Sequence, residues 1–555
     1  MAIMIQHRHL VRWAVVLLFL TCLGLSWRSL DPQHPIRTST NRHLQGGLQA
    51  VKERFGPDRN GPTSALGDVH TVEVSASTLT QQAQQIVRAN DFIPHIRSVV
   101  QMPGLTVEKA ASTCNWDKDA RVNFQWGADT DWNVKPLKKR TIMSKRKAWQ
   151  QFVMRDMISW SPVEYRFRGK GIIVLAGNQE TVSRVKVLLK ALSQTRTKLP
   201  VEIHYFGEQE LSSKNQTDLQ ALFPNMFFSD ISWPGNVVQT TVRGYINYSF
   251  KTAAVLNSRF AEILMLDSDN IPVEDPAILF DSNVYQKYGS VFWPDIARTR
   301  PLNPAWALTN TPCRMQEYEQ ESGQLLVDKT RFWFHLQLAH HFSNLDFYKS
   351  FLLGDKDTFR FAWHALKTAY GRPGRWLTSI GTVHRPRNEA LYPAKVAPRK
   401  KGGAKTSDSI MSEDEARKTN LREGGGIYCG HTFGQHHPDA ANTSRVMFLH
   451  GGLLKTWHPL ILQHGMKYGS GAFTAYKSSA HATDAGYIEP VGIKADFGEY
   501  LESSLKDNLT FPAQCTDFFE VDVAPLGDQE TKELKGIEGR LRKANIYWNM
   551  NEPAP

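Results

Sequence analysis

Ile263-Leu264-Met265-Leu266-Asp267-Ser268-Asp269-Asn270 decides how this chain is read. Four consecutive apolar residues suit a buried strand, and they stop at two carboxylates one residue apart. Paired negative charge beside a core is costly unless something cationic meets it. At a strand end Asp267 and Asp269 can turn toward one point, with Ser268 facing away. Two hard oxygen ligands leave room for water and phosphate oxygens, which suits Mn²⁺ or Mg²⁺ carrying a nucleoside diphosphate. The plain alternative is a polar turn with solvated acids. An isolated D-x-D is too common to choose between them.

The sequence upstream supplies a frame. Gly171-Ile172-Ile173-Val174-Leu175-Ala176-Gly177-Asn178 reads as a buried strand ending in a glycine turn. Val182, Val185, Leu188, Leu189 and Leu192 then share one helical face, and Pro200 precedes a strand over 201–207. Strand, helix, strand implies a right-handed crossover and a parallel pair. A further helix over 249–258 leads into the strand that ends at Asp267. The expected fold class is α/β, with strand ends directing ligands into one crevice. Gly177 and Asn178 are candidate nucleotide contacts, although Gly177 serves a tight turn equally well. No G-x-G-x-x-G is present to suggest a dinucleotide.

A chain of 555 residues, 41% hydrophobic and 11% aromatic, has a substantial core and excludes global disorder. Its formal charge of +12 favours anionic partners without selecting one. With no zinc-finger spacing and no RNP-type aromatic motif, nucleic acid is not an expected partner. Residues 13–27, uncharged and mostly apolar, lie between Arg12 and Arg28. At ~1.5 Å per residue they span about 22 Å, short for a ~30 Å bilayer core but compensated by flanking tryptophans and arginines. The expectation is a cytosolic tail over 1–12, a transmembrane signal anchor over 13–27, a luminal stem over 28–85 rich in Gln, Ser, Thr, Arg and Gly, a lead-in over 86–165 and a catalytic domain over 166–550. A cleaved signal peptide is the alternative at the N-terminus. Within the catalytic domain the pattern dissolves over 385–426, as in a flexible insertion.

A luminal body makes Asn215, Asn247, Asn442 and Asn508 glycosylation candidates. Beyond Cys22 in the apolar span, Cys114, Cys313, Cys429 and Cys515 form an even set with three possible pairings.

Later in the chain come four compact polar segments: Glu321-Ser322-Gly323-Gln324-Leu325-Leu326-Val327-Asp328-Lys329, Gly354-Asp355-Lys356-Asp357-Thr358-Phe359, Gly430-His431-Thr432-Phe433-Gly434-Gln435-His436-His437, and His450-Gly451-Gly452-Leu453-Leu454-Lys455-Thr456-Trp457. Taken together, residues 169–460 resemble the fungal Golgi α-mannosyltransferases of glycosyltransferase family 71, on the strength of GIIVLAGN, LPVEIHYFG, LDSDNIPVEDPAILF, VFWPD, ESGQLLVDK and GDKDTFRFAW. The Phe292-Trp293-Pro294-Asp295 and Glu321-Ser322-Gly323-Gln324 blocks look closer to the branch-initiating α-1,2 transferases than to the α-1,3 ones. The resemblance implies a GT-A-like nucleotide-sugar-binding domain, GDP-mannose as donor, Mn²⁺, and retention of anomeric configuration. It also implies a mannose-containing glycan or glycoprotein acceptor, a single-pass type II position in the Golgi membrane, and a mannosyltransferase complex as a candidate partner.

His450 to Trp457 also resembles the H-x-x-G-x-x-K-P-W signature of retaining GT-A enzymes, in which the histidine completes the metal site and the lysine contacts the diphosphate. Here His450 and Lys455 are one residue closer, and Thr456 replaces proline. The candidate metal set is therefore Asp267, Asp269 and His450, with Lys455 as a cation for the diphosphate. A departing nucleoside diphosphate leaves an oxocarbenium-like centre that needs an electron-rich neighbour. Glu321, Gln324, Asp355 and Asp357 are the catalytic candidates, the last two ranked for sugar hydroxyls. For Glu321 an ion pair with Lys329 or an arginine is an equal alternative. Lys251 and Arg243 are weaker phosphate candidates, with a solvated helix face the plainer explanation. For His431, His436 and His437, loop packing or acceptor contact is preferred over a second metal. Trp293, Trp306 and Trp457 suit core packing or sugar stacking.

Three other functions share these features. One is an α-1,3-mannosyltransferase or another nucleotide-sugar transferase of the same family. A second is a non-catalytic glycan-binding scaffold of a mannan-synthesis complex, and the third a glycoside hydrolase, which requires neither metal nor diphosphate.

Overall fold

The computed structural model describes residues 75–114, 137–177, 179–241, 249–314, 317–352, 356–375, 377–384, 427–440, 445–451, 475–477, 492–498, 513–519 and 523–525, with residues 532 and 536. Its first sheet contains β1 (Lys170–Leu175), β2 (Val201–Tyr205), β3 (Met226–Asp230), β4 (Glu262–Leu266), β6 (Ser290–Arg298) and β7 (Tyr318–Asp328), in the order β3-β2-β1-β4-β7-β6. β1 pairs in parallel with both β2 and β4, and β2 with β3, as the strand–helix–strand pattern requires. β7 runs antiparallel to β4 and β6. This is an α/β arrangement, with the D-x-D at the C-terminal end of β4.

Alternation along the strands divides the core between two faces. Ile173, Ile263, Met265, Leu325 and Val327 belong to one cluster, packed with the Lys329–Asn344 and Lys356–Ala365 helices and the lead-in. Ile172, Val174, Leu264, Leu266 and Leu326 belong to the other, with the Gln179–Thr195 helix and Phe448.

A second sheet is ordered β14-β11-β8-β9-β10-β5. Its members are β5 (Asn270–Pro272), β8 (Thr378–His384), β9 (Ile427–His436), β10 (Val446–His450), β11 (Ala475–Lys477) and β14 (Val523–Pro525). β12 (Gly492–Gly498) and β13 (Ala513–Phe519) form a separate antiparallel pair.

One expectation changes. The stem was expected to run to residue 85, but a helix occupies Ala76–Gln84, capped by Ser75, with Leu79 and Ala83 buried. Its i, i+4 apolar pair sits in a Gln- and Thr-rich segment, which disguises a packing helix as stem. The compact polar segment beginning at Glu321 runs along the last eight residues of an 11-residue strand. The lead-in is tied to the main domain by Trp149 Nε1 donating to the Leu308 carbonyl at 2.8 Å and by a Cys114–Cys313 disulfide. Among the described residues no helix is long and apolar enough to cross a membrane. The anchor over 13–27, the insertion over 385–426, and Asn178, Asn247, Asn442, Asn508, Asp355, Lys455, Arg243 and Trp457 lie outside the described residues.

Candidate active site

β5 begins one residue after Asp269, and its antiparallel pairing with β10 sets His450 opposite Asn270. That register carries a histidine from far along the chain to the D-x-D. His450 Nε2 lies 3.3 Å from Asp269 Oδ1 and 4.0 Å from Asp267 Oδ2. One ligand atom from each of Asp267, Asp269 and His450 falls within 4.8 Å of the others. Two carboxylate oxygens and an imidazole nitrogen this close together could hold Mn²⁺ or Mg²⁺.

Gly323 makes room for this arrangement. A Cβ at Gly323 would lie 2.2 Å from His450 Cε1, so only glycine lets β7 pass beneath the imidazole. The Gly323 carbonyl accepts from the Asp267 N–H at 2.8 Å and from Asn270 Nδ2 at 3.0 Å, holding both ends of the D-x-D turn. Asn270 Nδ2 also donates to Gln324 Oε1 at 2.8 Å. Gln324 is therefore fully buried beneath the turn, where it positions the backbone.

Glu321 faces the cluster. Its Oε1 lies 3.7 Å from His450 Nδ1 and accepts from the Gly323 N–H at 2.9 Å. The alternative ion pair with Lys329 does not form: Lys329 Nζ donates to the Ser258 carbonyl at 2.7 Å and the Leu256 carbonyl at 3.3 Å. Burial pushes the Glu321 carboxyl up, with Asp295 and Asp267 adding to the rise against the pull of His450. Burial alone would lower His450, yet Glu321 and Asp269 carry it up to about 9.

Lys251, on the Ser249–Asn257 helix, belongs to the site rather than to a solvated face. Its Nζ lies 2.7 Å from Asp267 Oδ1 and donates to Ser322 Oγ at 3.3 Å. A second cationic position follows along β7. Lys356 Nζ bonds Asp295 at 2.5 Å and Glu319 at 2.9 Å, and these carboxylates hold its amine well above its ordinary value despite burial. Glu319 and Lys356 were not singled out by sequence reasoning, and Asp295 only as part of a motif. Glu319 stands two residues from Glu321, and that period-two spacing was the available signal.

Asp357 is placed differently. Its Oδ1 accepts from Arg360 Nε at 2.8 Å and from the Gln320 N–H at 3.2 Å, so it anchors the helix against β7 from within the core. His436 Nε2 shares a hydrogen bond with Thr378 Oγ1 at 2.8 Å, and His437 Nδ1 accepts from the Asp439 N–H. Both are structural here. Trp293 and Trp306 are core residues. Gly177 ends the first strand, its N–H donating to Thr181 Oγ1 at 2.8 Å, and Asn215 lies in the first turn of the Ser213–Leu222 helix.

Residues 169–312 and 304–408 match a family model described as mannosyltransferase. Alpha-1,2-mannosyltransferase MNN24 of Candida albicans is 26% identical over 298 residues, 45% of this chain and 41% of that protein. Alpha-1,2-mannosyltransferase MNN22 of the same organism is 42% identical over 184 residues, 31% of this chain and 29% of that protein. The chain thus spans less than half the length of these curated relatives. Among solved structures, mannosyltransferase Ktr4p from S. cerevisiae is similar at 12% identity and a TM-score of 0.23, over 42% of this chain and 76% of that one.

Proposed function

Because the segment 169–408 belongs to the mannosyltransferase family, we propose that this chain moves mannose from GDP-mannose to a mannose-terminated glycan with retention, forming an α-1,2 linkage. The observation that carries this reading is the meeting of Asp267, Asp269 and His450 at the end of β4, with Lys251 alongside.

A divalent ion held by Asp267, Asp269 and His450 would neutralise charge on the departing diphosphate. Lys251 adds a second positive charge at the same place and, through Asp267, fixes the carboxylate's orientation. Lys455 is proposed as a further phosphate contact. Glu321 is the carboxylate on the open side of the cluster and takes the role of stabilising the electron-poor anomeric centre. Asp295, Glu319 and Lys356 continue its face and offer acceptors and a donor for sugar hydroxyls, with Asp355 beside them in sequence. Gln324 and Asp357 act as positioning residues. Gly177 and Asn178 are proposed as nucleoside contacts. A hydrolase reading would leave the lysine-flanked metal set without a purpose.

The Cys114–Cys313 disulfide supports folding in an oxidising compartment. With the apolar segment 13–27 it supports a type II position in the Golgi membrane, with Asn215, Asn247, Asn442 and Asn508 as candidates for luminal glycosylation. The test is incubation of the chain with GDP-mannose and other nucleotide sugars on α-mannoside acceptors, with Mn²⁺ or with EDTA. Transfer from GDP-mannose that stops in EDTA and returns with Mn²⁺ is expected. Undiminished transfer in EDTA would overturn the metal role, and no transfer from any donor would favour the scaffold.

A further inference from the structure

A cavity of about 390 Å³ opens beside the edge strand β3, lined by Arg166, Phe228, Asp230, Trp233, Asn236 and Arg259, among others. We propose that it is a second glycan-binding site, holding a distal part of the mannoside chain while the chain's end is elongated elsewhere. This rests on the mannosyltransferase reading for the ligand's identity.

Position separates the cavity from the transfer site. Glu202 and Arg259, which line it, lie at or before the N-terminal ends of β2 and β4, whereas the D-x-D follows the C-terminal end of β4. Asp230 and Trp233 stand at and beyond the C-terminal end of β3, three strand spacings, about 14 Å, across the sheet from β4. A ligand reaching both must be a chain of several sugar rings.

Two of the exposed aromatics point to the same place. Among the described residues the large exposed hydrophobic side chains include three aromatic ones, Trp233 at 57%, Tyr165 at 67% and Phe227 at 37%. Trp233 lines the cavity, and the Phe227 ring carries the lining Arg259 guanidinium at 3.9 Å. Exposed rings gathered in this way mark a binding surface.

Trp233 is held as a platform. A Cβ on Gly235 would lie 2.3 Å from the indole, so one part of the ring rests against that glycine while more than half of the residue stays open. The loop beneath is pinned by Arg166 Nη2 to the Gly235 carbonyl at 2.9 Å and by Asn236 Nδ2 to the Asp230 carbonyl at 2.9 Å. A preorganised indole loses little entropy when a pyranose ring stacks on it.

Charge selects the ligand class. The lining arginines, Arg166 and Arg259, are matched by the carboxylates of Glu202 and Asp230. Glu202 is already engaged by Arg259 Nε at 3.2 Å and Ser258 Oγ at 2.7 Å. A balanced lining with amides and an aromatic platform suits a neutral saccharide better than a nucleotide or phosphate.

The test compares the wild-type chain with Trp233→Ala and Trp233→Tyr, after thermal unfolding confirms that each is folded. Binding of α-linked mannohexaose without donor is measured by calorimetry, and transfer to a mannobiose and a mannohexaose acceptor is assayed in parallel. Trp233→Ala should weaken hexaose binding at least tenfold and raise its KM similarly, with kcat and all mannobiose kinetics unchanged; Trp233→Tyr should recover most of the loss. Unchanged hexaose affinity in Trp233→Ala, or an equal loss with mannobiose, overturns the proposal. So does unchanged affinity accompanied by altered self-association, which would make the cavity a protein contact. Failure of GDP-mannose transfer in the wild type would instead overturn the catalytic reading, because the donor-free binding arm does not depend on it.

Discussion

Two acidic clusters flank β7, and they are built for opposite purposes. On one side Asp267, Asp269 and Glu321 converge on His450 and Lys251, and the Asp267 side chain keeps 24% of its surface open. On the other, Glu317 and Asp357 close around Arg360, and the Asp357 side chain is 3% exposed. In the closed cluster His364 Nε2 lies 2.7 Å from Glu317, Tyr370 adds its hydroxyl, and Arg360 reaches Thr299. Each of its acids meets a rigid donor from the surrounding fold. In the open cluster the acids face one another across a histidine, so like charges are held close beside an entrance. Enclosure by donors identifies structure, and crowding of acids toward an opening identifies a cation site.

The sharpest way to break this comparison is to delete one acid from each side. Asp269→Ala should lower GDP-mannose transfer by about 10³-fold or more, the loss of one metal ligand being worth several kcal/mol. Its unfolding free energy should change by less than about 1 kcal/mol, because a carboxylate crowded by other acids around one histidine contributes little to folding. Radiolabelled transfer assays and urea unfolding on the same preparation decide it. Wild-type turnover would remove Asp269 from the site.

Next comes a residue that bears no charge. Gly323→Ala inserts a methyl 2.2 Å from His450 Cε1, so the imidazole must leave the D-x-D. Transfer should fall about 100-fold, the scale of losing ligand orientation, and Mn²⁺ affinity measured by calorimetry should fall with it. Unchanged Mn²⁺ affinity would show that His450 is not a ligand.

These residues also show what the sequence disclosed. The β1–helix–β2 unit, the strand ending at Asp267 and the D-x-D were legible because apolar runs, a 3.6-residue period and a charge step are local signals. His450 entered through a motif that matches imperfectly, and only the β5–β10 register explains why it belongs there. Lys251 looked like a solvated helix residue because its partner is 16 residues away across a turn. Asp357 read as catalytic for the opposite reason: its acidic, glycine-flanked setting resembles an active-site turn, while the Arg360 that claims it appears only once the helix forms. Glu319 offered only its period-two spacing from Glu321, and Lys356 was silent, since a lysine between two acids on different strands has no local pattern. The Ala76–Gln84 helix was hidden by composition.

On the closed side the expected loss is in stability. Asp357→Asn should cost roughly 3 kcal/mol, since it leaves the Arg360 guanidinium buried with only part of its compensation. Urea unfolding at neutral pH measures this. Glu321→Gln, on the open side, should cost no stability, because it removes a carboxylate crowded by Asp267 and Asp295. Equal destabilisation by both variants would erase the distinction between the clusters.

The mildest probe is pH. Burial works against the charge of Glu317, but His364, Arg360 and Arg314 hold its carboxyl well below its ordinary 4.5. A carboxylate depressed in the folded state contributes stability that is complete above its unfolded value. That contribution disappears as pH falls from about 4.5 toward the folded value. Glu317 should therefore add up to about 1.4 kcal/mol of destabilisation for each pH unit below 4.5. Glu317→Gln starts less stable at neutral pH but should lose stability less steeply between pH 4.5 and 3, as read by thermal unfolding across that range. An acid slope unchanged by Glu317→Gln would mean that the closed cluster is not what ties this fold to neutral pH.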